Sequence, residues 1–148
     1  MMRLLGALAM GLMLGGCAFF RPVVDVQVTA GDSLNPDSGD RASPVLVRLY
    51  ELRKADTFQD AGFEALHGNP EAMLGDELLG VTETMLRPGG DWSTQRALSA
   101  ETRYIGVTAA FRNIDDARWR VVKPADGIFF VPGIDLRVDG VEISNRDD

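Results

Sequence analysis

Cysteine occurs once in the 148 residues and histidine once. A single cysteine excludes a disulfide framework, so an apolar core must hold the fold together unaided. Basic residues are scarce too, with Lys+Arg 15 against Asp+Glu 22 and a formal net charge of −7. That balance argues against nucleic acid, whose phosphates require a basic footprint, and against an electrostatic hold on anionic lipid. No apolar run beyond the N-terminus is long enough to span a bilayer. Nor is there a Gly-x-Ser-x-Gly elbow, and the machinery of nucleophilic catalysis is not visible.

The apolar stretch Leu4–Leu14 follows Arg3 and closes on Leu14-Gly15-Gly16-Cys17. A positive residue, a short apolar region and small residues at a cleavage point resemble a bacterial lipoprotein signal, and the stretch is too short for a mature spanning helix. The resemblance implies that residues 1–16 are removed and that Cys17, the lone cysteine, is acylated. The rival reading, a buried core helix carrying a free cysteine, fits poorly at the extreme N-terminus. Several acyl chains, at ~0.8 kcal/mol for each buried CH₂, hold a protein stably where one chain binds marginally. In the lipoprotein resemblance an aspartate after the cysteine retains the protein at the inner membrane. Here Ala18 follows and points to the outer membrane. Removing residues 1–16 from the 148 leaves 132, the size of one domain, and losing Arg3 takes the formal charge to −8. The expected organisation is a short tether over 17–22, a β domain over 23–143 and a polar tail over 144–148.

Along the mature chain, alternation outweighs helical periodicity. Val24, Val26 and Val28 share a face against Asp25, Gln27 and Thr29, which predicts a half-buried strand. The polar run Gly31–Ser43 follows as a loop. In PVLVRLYEL, Val45, Val47 and Leu49 share one face while Leu46 and Tyr50 keep the other partly apolar, as in a strand covered on both sides. Asp56 with Gln59 three residues on predicts a capped helix carrying Phe58, Ala61, Ala65 and Leu66, weakened by Gly62 and ending near His67-Gly68-Asn69-Pro70. Leu79, Val81 and Met85 alternate up to the turn Pro88-Gly89-Gly90, and Trp92–Leu98 gives another strand. In RYIGVTAAFR, Ile105, Val107, Ala109 and Phe111 face the core while Tyr104 and Thr108 face outward. Arg118–Lys123, Ile128–Val131 and a last run through Ile134, Leu136, Val138 and Val141 complete the series, which reads as a sandwich or barrel.

Three stretches, LYELRKADTFQDAGFEAL, MLGDELLGVTETMLRPGG and TRYIGVTAAFRNIDDARWR, carry a resemblance that covers about residues 44–122. Its specific parts are Leu74-Gly75 before an acidic pair, the Pro88-Gly89 turn, and the strand from Tyr104-Ile105-Gly106-Val107 to Phe111-Arg112 ending near Trp119-Arg120. In this order behind a lipoprotein signal, they resemble the outer-membrane lipoprotein family of the type VI secretion system, of TssJ/VasD type. The resemblance implies an all-β, two-sheet sandwich of transthyretin type with a short helical insertion. It also implies a structural, non-enzymatic subunit without cofactors. Such a protein is tethered to the periplasmic face of the outer membrane and binds the periplasmic domain of the large inner-membrane subunit. Gly62 departs from the pattern by interrupting the helical insertion.

Individual candidates for chemistry each have a plainer account. His67 lies at a helix end, where histidine serves as a cap or dipole partner. Asp32, Asn35, Asp37 and Asp40 lack the spacing of an EF-hand calcium loop and read as a solvated acidic loop. Arg112, Arg118 and Arg120 suit either a partner-binding patch or solvated covering on strands. Family members are thought to bind their partner through the connection between the first two strands. By position alone that places the contact on Asp32, Leu34, Asn35, Asp37, Asp40 and Arg41, in a loop expected to contribute little to the core. Two other readings remain: a periplasmic carrier of a small apolar ligand, which requires a concave apolar pocket, and an envelope hydrolase, which requires convergent titratable groups.

Overall fold

The computed structural model describes residues 21–125 and 133–145. The signal stretch, Cys17 and the strand expected at Ile128–Val131 lie outside the described residues.

The chain forms β1 (Val23–Ala30), β2 (Val45–Leu52), α1 (Asp56–Asp60), α2 (Phe63–Gly68), α3 (Pro70–Leu74), a 3-10 turn at Gly75–Glu77, β3 (Leu78–Leu86) and β4 (Asp91–Ala97), then β5 (Tyr104–Ala109), β6 (Arg120–Pro124), β7 (Ile134–Asp139) and β8 (Glu142–Asn145). Two four-stranded sheets result, ordered β4-β1-β7-β8 and β3-β2-β5-β6. Among the described strands all pairings are antiparallel except β1 with β7, where Val26 lies opposite Ile134 and Val28 opposite Leu136; an isolated parallel bridge joins Arg118 to Glu142. This is the transthyretin-type sandwich that the resemblance implied.

The predicted faces set the core. Val24, Val26 and Val28 of β1 meet Val45, Val47 and Leu49 of β2 and Ile105 and Val107 of β5, all buried between the sheets. Leu34 belongs to this core as well and is fully buried, so the loop after β1 is not peripheral as expected. At the end of the sandwich nearer Val23, Glu51 of β2 is also buried. Its carboxylate takes Arg96 Nη2 of β4 at 2.9 Å and Thr102 Oγ1 at 3.3 Å, while Arg96 also donates to Thr82. Pairing and hydrogen bonding are what let a charge sit there.

A second cluster lies on the outer face of the β3-β2-β5-β6 sheet, where Tyr50 and Leu52 pack with Phe58, Ala61, Leu66 and Leu74 of the helical insertion. Instead of one helix there are three short ones, because the chain leaves helical geometry at Ala61 and Gly62. Asp56 sits in the first turn of α1, whose N-cap is Ala55 with no side-chain cap bond. Asn69-Pro70 starts α3 rather than ending the insertion: Asn69 Oδ1 accepts from Ala72 N at 3.0 Å and Pro70 takes the first turn. These helices cover Thr108, which faces away from the sandwich interior as predicted but is fully buried. Two further differences concern ends. β6 begins at Arg120 rather than Arg118, and the last run breaks at Gly140 into a hairpin whose second strand takes in Ser144 and Asn145.

Candidate functional site

β1 runs from the N-terminal side to the loop Gly31–Ser43, so its two ends define the two ends of the sandwich. At the first, Pro22 O accepts from Leu98 N at 2.8 Å, and Arg21 borders the turn Ser99–Glu101. At the second, the connections β1–β2, β3–β4, β5–β6 and β7–β8 converge.

The β1–β2 loop is braced along its length. Gly31 N donates to Val138 O at 2.8 Å, and a Cβ at Gly31 would collide with the Asp139 carboxylate. Ser33 Oγ donates to Asp139 Oδ1 at 3.1 Å, while Arg137 beside that carboxylate holds its pKa below the usual range. The buried Asn35 adopts φ 48°, a left-handed conformation that asparagine tolerates. Its N donates to Gly140 O at 2.7 Å, its Nδ2 to Pro44 O at 2.8 Å, and its Oδ1 accepts from Arg112 N at 2.8 Å. Ser43 Oγ donates to Asn35 O and accepts from Arg112 Nε at 3.1 Å.

Beyond these anchors stands a small compact tip. Asp37 Oδ1 accepts from Gly39 N at 2.8 Å and Arg41 N at 3.1 Å, and Asp37 Oδ2 pairs with Arg41 Nη2 at 2.8 Å. The Arg41 guanidinium, followed by the two backbone N–H groups, holds the Asp37 carboxyl below the ordinary aspartate range. Asp40 completes the turn at φ 58°.

Thus the six candidate residues separate by role. Asp32, Asp40 and Arg41 are exposed and Asp37 is partly so, whereas Leu34 and Asn35 are buried anchors. Next to the tip an open depression is lined by Pro36, Asp37, Ser38, Arg112, Asn113 and Val141. Arg112, Ser43, Asp139 and Gly140 are therefore parts of the same surface. The Asn35–Arg112 and Ser33–Asp139 contacts close 77 and 106 residues apart, so no local signal in the sequence brings them to this loop.

The three arginines weighed together also part company. Arg118 pairs with Glu142 at 2.8 Å. Arg120 donates from Nη1 to Phe58 O at 2.9 Å and Ala61 O at 2.7 Å, and so clamps the end of α1 to β6. Arg112 lines the depression beside the tip. His67 is half-buried in the last turn of α2, stacked on Phe63 at 4.1 Å with Nε2 2.9 Å from Thr108 Oγ1. Burial, and then the charge of Arg48, push its pKa down to about 4. A neutral imidazole contributes no charge to the helix end. Instead the guanidinium of Arg48 takes the His67 carbonyl at 2.9 Å.

The family described as type VI secretion lipoprotein (VasD, EvfM, TssJ) matches the chain over residues 22–138. No relative among curated proteins matches it by sequence. Among solved structures, the T6SS lipoprotein TssJ1 from Pseudomonas aeruginosa is 34% identical, with 84% of this chain and 94% of that chain covered and a TM-score of 0.80. Serratia marcescens Lip, a membrane-bound component of the type VI secretion system, is 22% identical over 84% of this chain and 96% of its own, with a TM-score of 0.78. A chain in a structure described as the T6SS protein TssM C-terminal domain from EAEC is 22% identical over 83% of this chain and 96% of its own, with a TM-score of 0.72.

Proposed function

The chain belongs to the type VI secretion lipoprotein family, and from that premise we propose that it is a structural, non-enzymatic subunit of the secretion system's membrane complex. Acyl chains on Cys17 anchor it to the periplasmic face of the outer membrane. Its loop end binds the periplasmic domain of the large inner-membrane subunit. The carrying observation is the placement of the two ends: the tether enters at Arg21 and Pro22, while the braced loop stands at the far end of β1, roughly 25 Å away at ~3.3 Å per residue. A surface held away from the anchoring membrane faces a partner that rises from the opposite one. The occurrence of a chain of this fold in a structure described by TssM supports the same reading.

The loop experiment follows from the anchors. Replacing Leu34–Asp40 as a block would remove a core side chain and the Asn35 bonds, so its effect on binding would be confounded with unfolding. Replacing only Asp37–Arg41 by a Gly-Ser linker leaves those anchors in place. This variant is expected to lose capture of the purified large subunit while its thermal midpoint stays near that of the wild type. Unchanged affinity by calorimetry would move the interface off this loop.

A further inference from the structure

Arg112 is held in place more firmly than an exposed arginine usually is. Its backbone N–H donates to the buried Asn35 side chain at 2.8 Å, and its Nε donates to Ser43 Oγ at 3.1 Å. Its two terminal nitrogens have no hydrogen-bond or ion-pair partner among the described residues, and Arg112 lines the depression next to the loop tip. Asp37, which also lines the depression, pairs with Arg41 and accepts two backbone N–H bonds, and the charge of Arg112 is the smallest of the influences that lower its pKa. Asn113 is likewise engaged, donating from Nδ2 to Asp116 Oδ2 at 2.9 Å. The depression therefore holds a guanidinium tied at Nε, together with the apolar side chain of Val141. A guanidinium fixed at Nε with both Nη groups free is preorganised for a bidentate carboxylate, because little of its rotamer freedom is left to lose on binding.

We propose that Arg112 is a specificity-determining residue of the partner interface, taking an aspartate or glutamate side chain of the partner into the depression between the β1–β2 loop and Asn113. This rests on the partner-binding reading of the same loop end. Amid the acidic connections that carry Asp32, Asp40, Asp115 and Asp116, the tied guanidinium of Arg112 sets the register: a partner basic elsewhere must bring its carboxylate to this point.

The test is isothermal titration of the mature, detergent-purified lipoprotein with the purified large inner-membrane subunit at low and high NaCl. Arg112→Ala is expected to weaken binding by ~10- to 100-fold, the range of an interfacial arginine hot spot. It should also flatten the salt dependence seen in the wild type. Arg112→Lys keeps the charge without the fork and should recover part of the loss. Ser43→Ala, which frees Nε and removes one bond to Asn35 but leaves the guanidinium, should lose less than Arg112→Ala. Thermal midpoints check that each variant folds, and if Arg112→Ala does not, Arg112→Lys and Ser43→Ala still decide the matter. Binding by the Arg112 variants within about twofold of wild type, while the Asp37–Arg41 replacement abolishes capture, would overturn the role of Arg112 and leave the loop interface standing. Should the loop replacement also bind normally, the interface reading and this inference fall together.

Discussion

His67 shows how one residue changes meaning when its neighbours are known. From the sequence it is a helix-end histidine, and the structure does place it in the last turn of α2. Its partner Thr108, however, lies 41 residues away, and burial between Phe63 and β5 keeps the ring neutral. A histidine whose folded pKa, about 4, lies below its ordinary 6.5 takes up its proton more readily when unfolded. Stability from this site is therefore full above pH 6.5 and is lost as pH falls from 6.5 through about 4. Urea titrations over that window are expected to show a steeper acid loss for the wild type than for His67→Gln. Equal slopes would mean that the ring is solvated in the folded state.

At the scale of elements, the helical insertion is docked by contacts that its own amphipathic pattern does not contain. Phe58, Ala61 and Leu66 supply an apolar face, as their spacing predicted, whereas Ala65 is exposed and Leu74 joins from α3; what receives that face is the outer side of β2 and β5. Gly106 of β5 makes this possible: a Cβ there would lie 2.6 Å from Phe58 Cζ. Gly106→Ala should cost about 1–3 kcal/mol through overpacking. The cost should appear first as faster amide exchange in residues 56–74, because helices of five or six residues have little stability away from their packing surface. Uniform exchange changes across both sheets would show instead that the insertion and the sandwich unfold as one unit. The alternation of β5 was correctly legible, with Ile105, Val107, Ala109 and Phe111 on the core side. The burial of Thr108 was not, because period-2 patterning separates faces and carries no information about a layer added over one of them.

For the whole molecule, the proposed function assigns anchoring to one end of the sandwich and partner binding to the other. The proposed anchor at Cys17 lies four residues before Arg21, where the described chain begins. Both apolar clusters of the described residues are built from side chains of the sandwich and its insertion. Cys17→Ser should accordingly release the protein from membranes, abolish palmitate labelling and leave the thermal midpoint of the sandwich unchanged. Retention of the variant in the outer-membrane fraction would mean that another part of the surface holds the lipid. With a single cysteine in the chain, no disulfide is lost in making this variant.

The sequence by itself determined the class of fold, the inward faces of β1, β2 and β5, and the position of the long connection after β1. These follow from local periodicity and turn chemistry, in which the information lies within a few residues. It also carried the family resemblance, since residues 44–122 lie within the matched span. Tertiary structure alone decided that Leu34 and Asn35 are buried anchors, that Arg120 clamps a helix, and that Arg112 is tied to Asn35 and Ser43 beside the loop tip. The physical reason is separation along the chain. Asn35 meets Arg112 across 77 residues and Arg120 meets Phe58 across 62. Which of several similar arginines finds a buried partner is set only when the β1–β2 loop and the helical insertion fold onto the sheets.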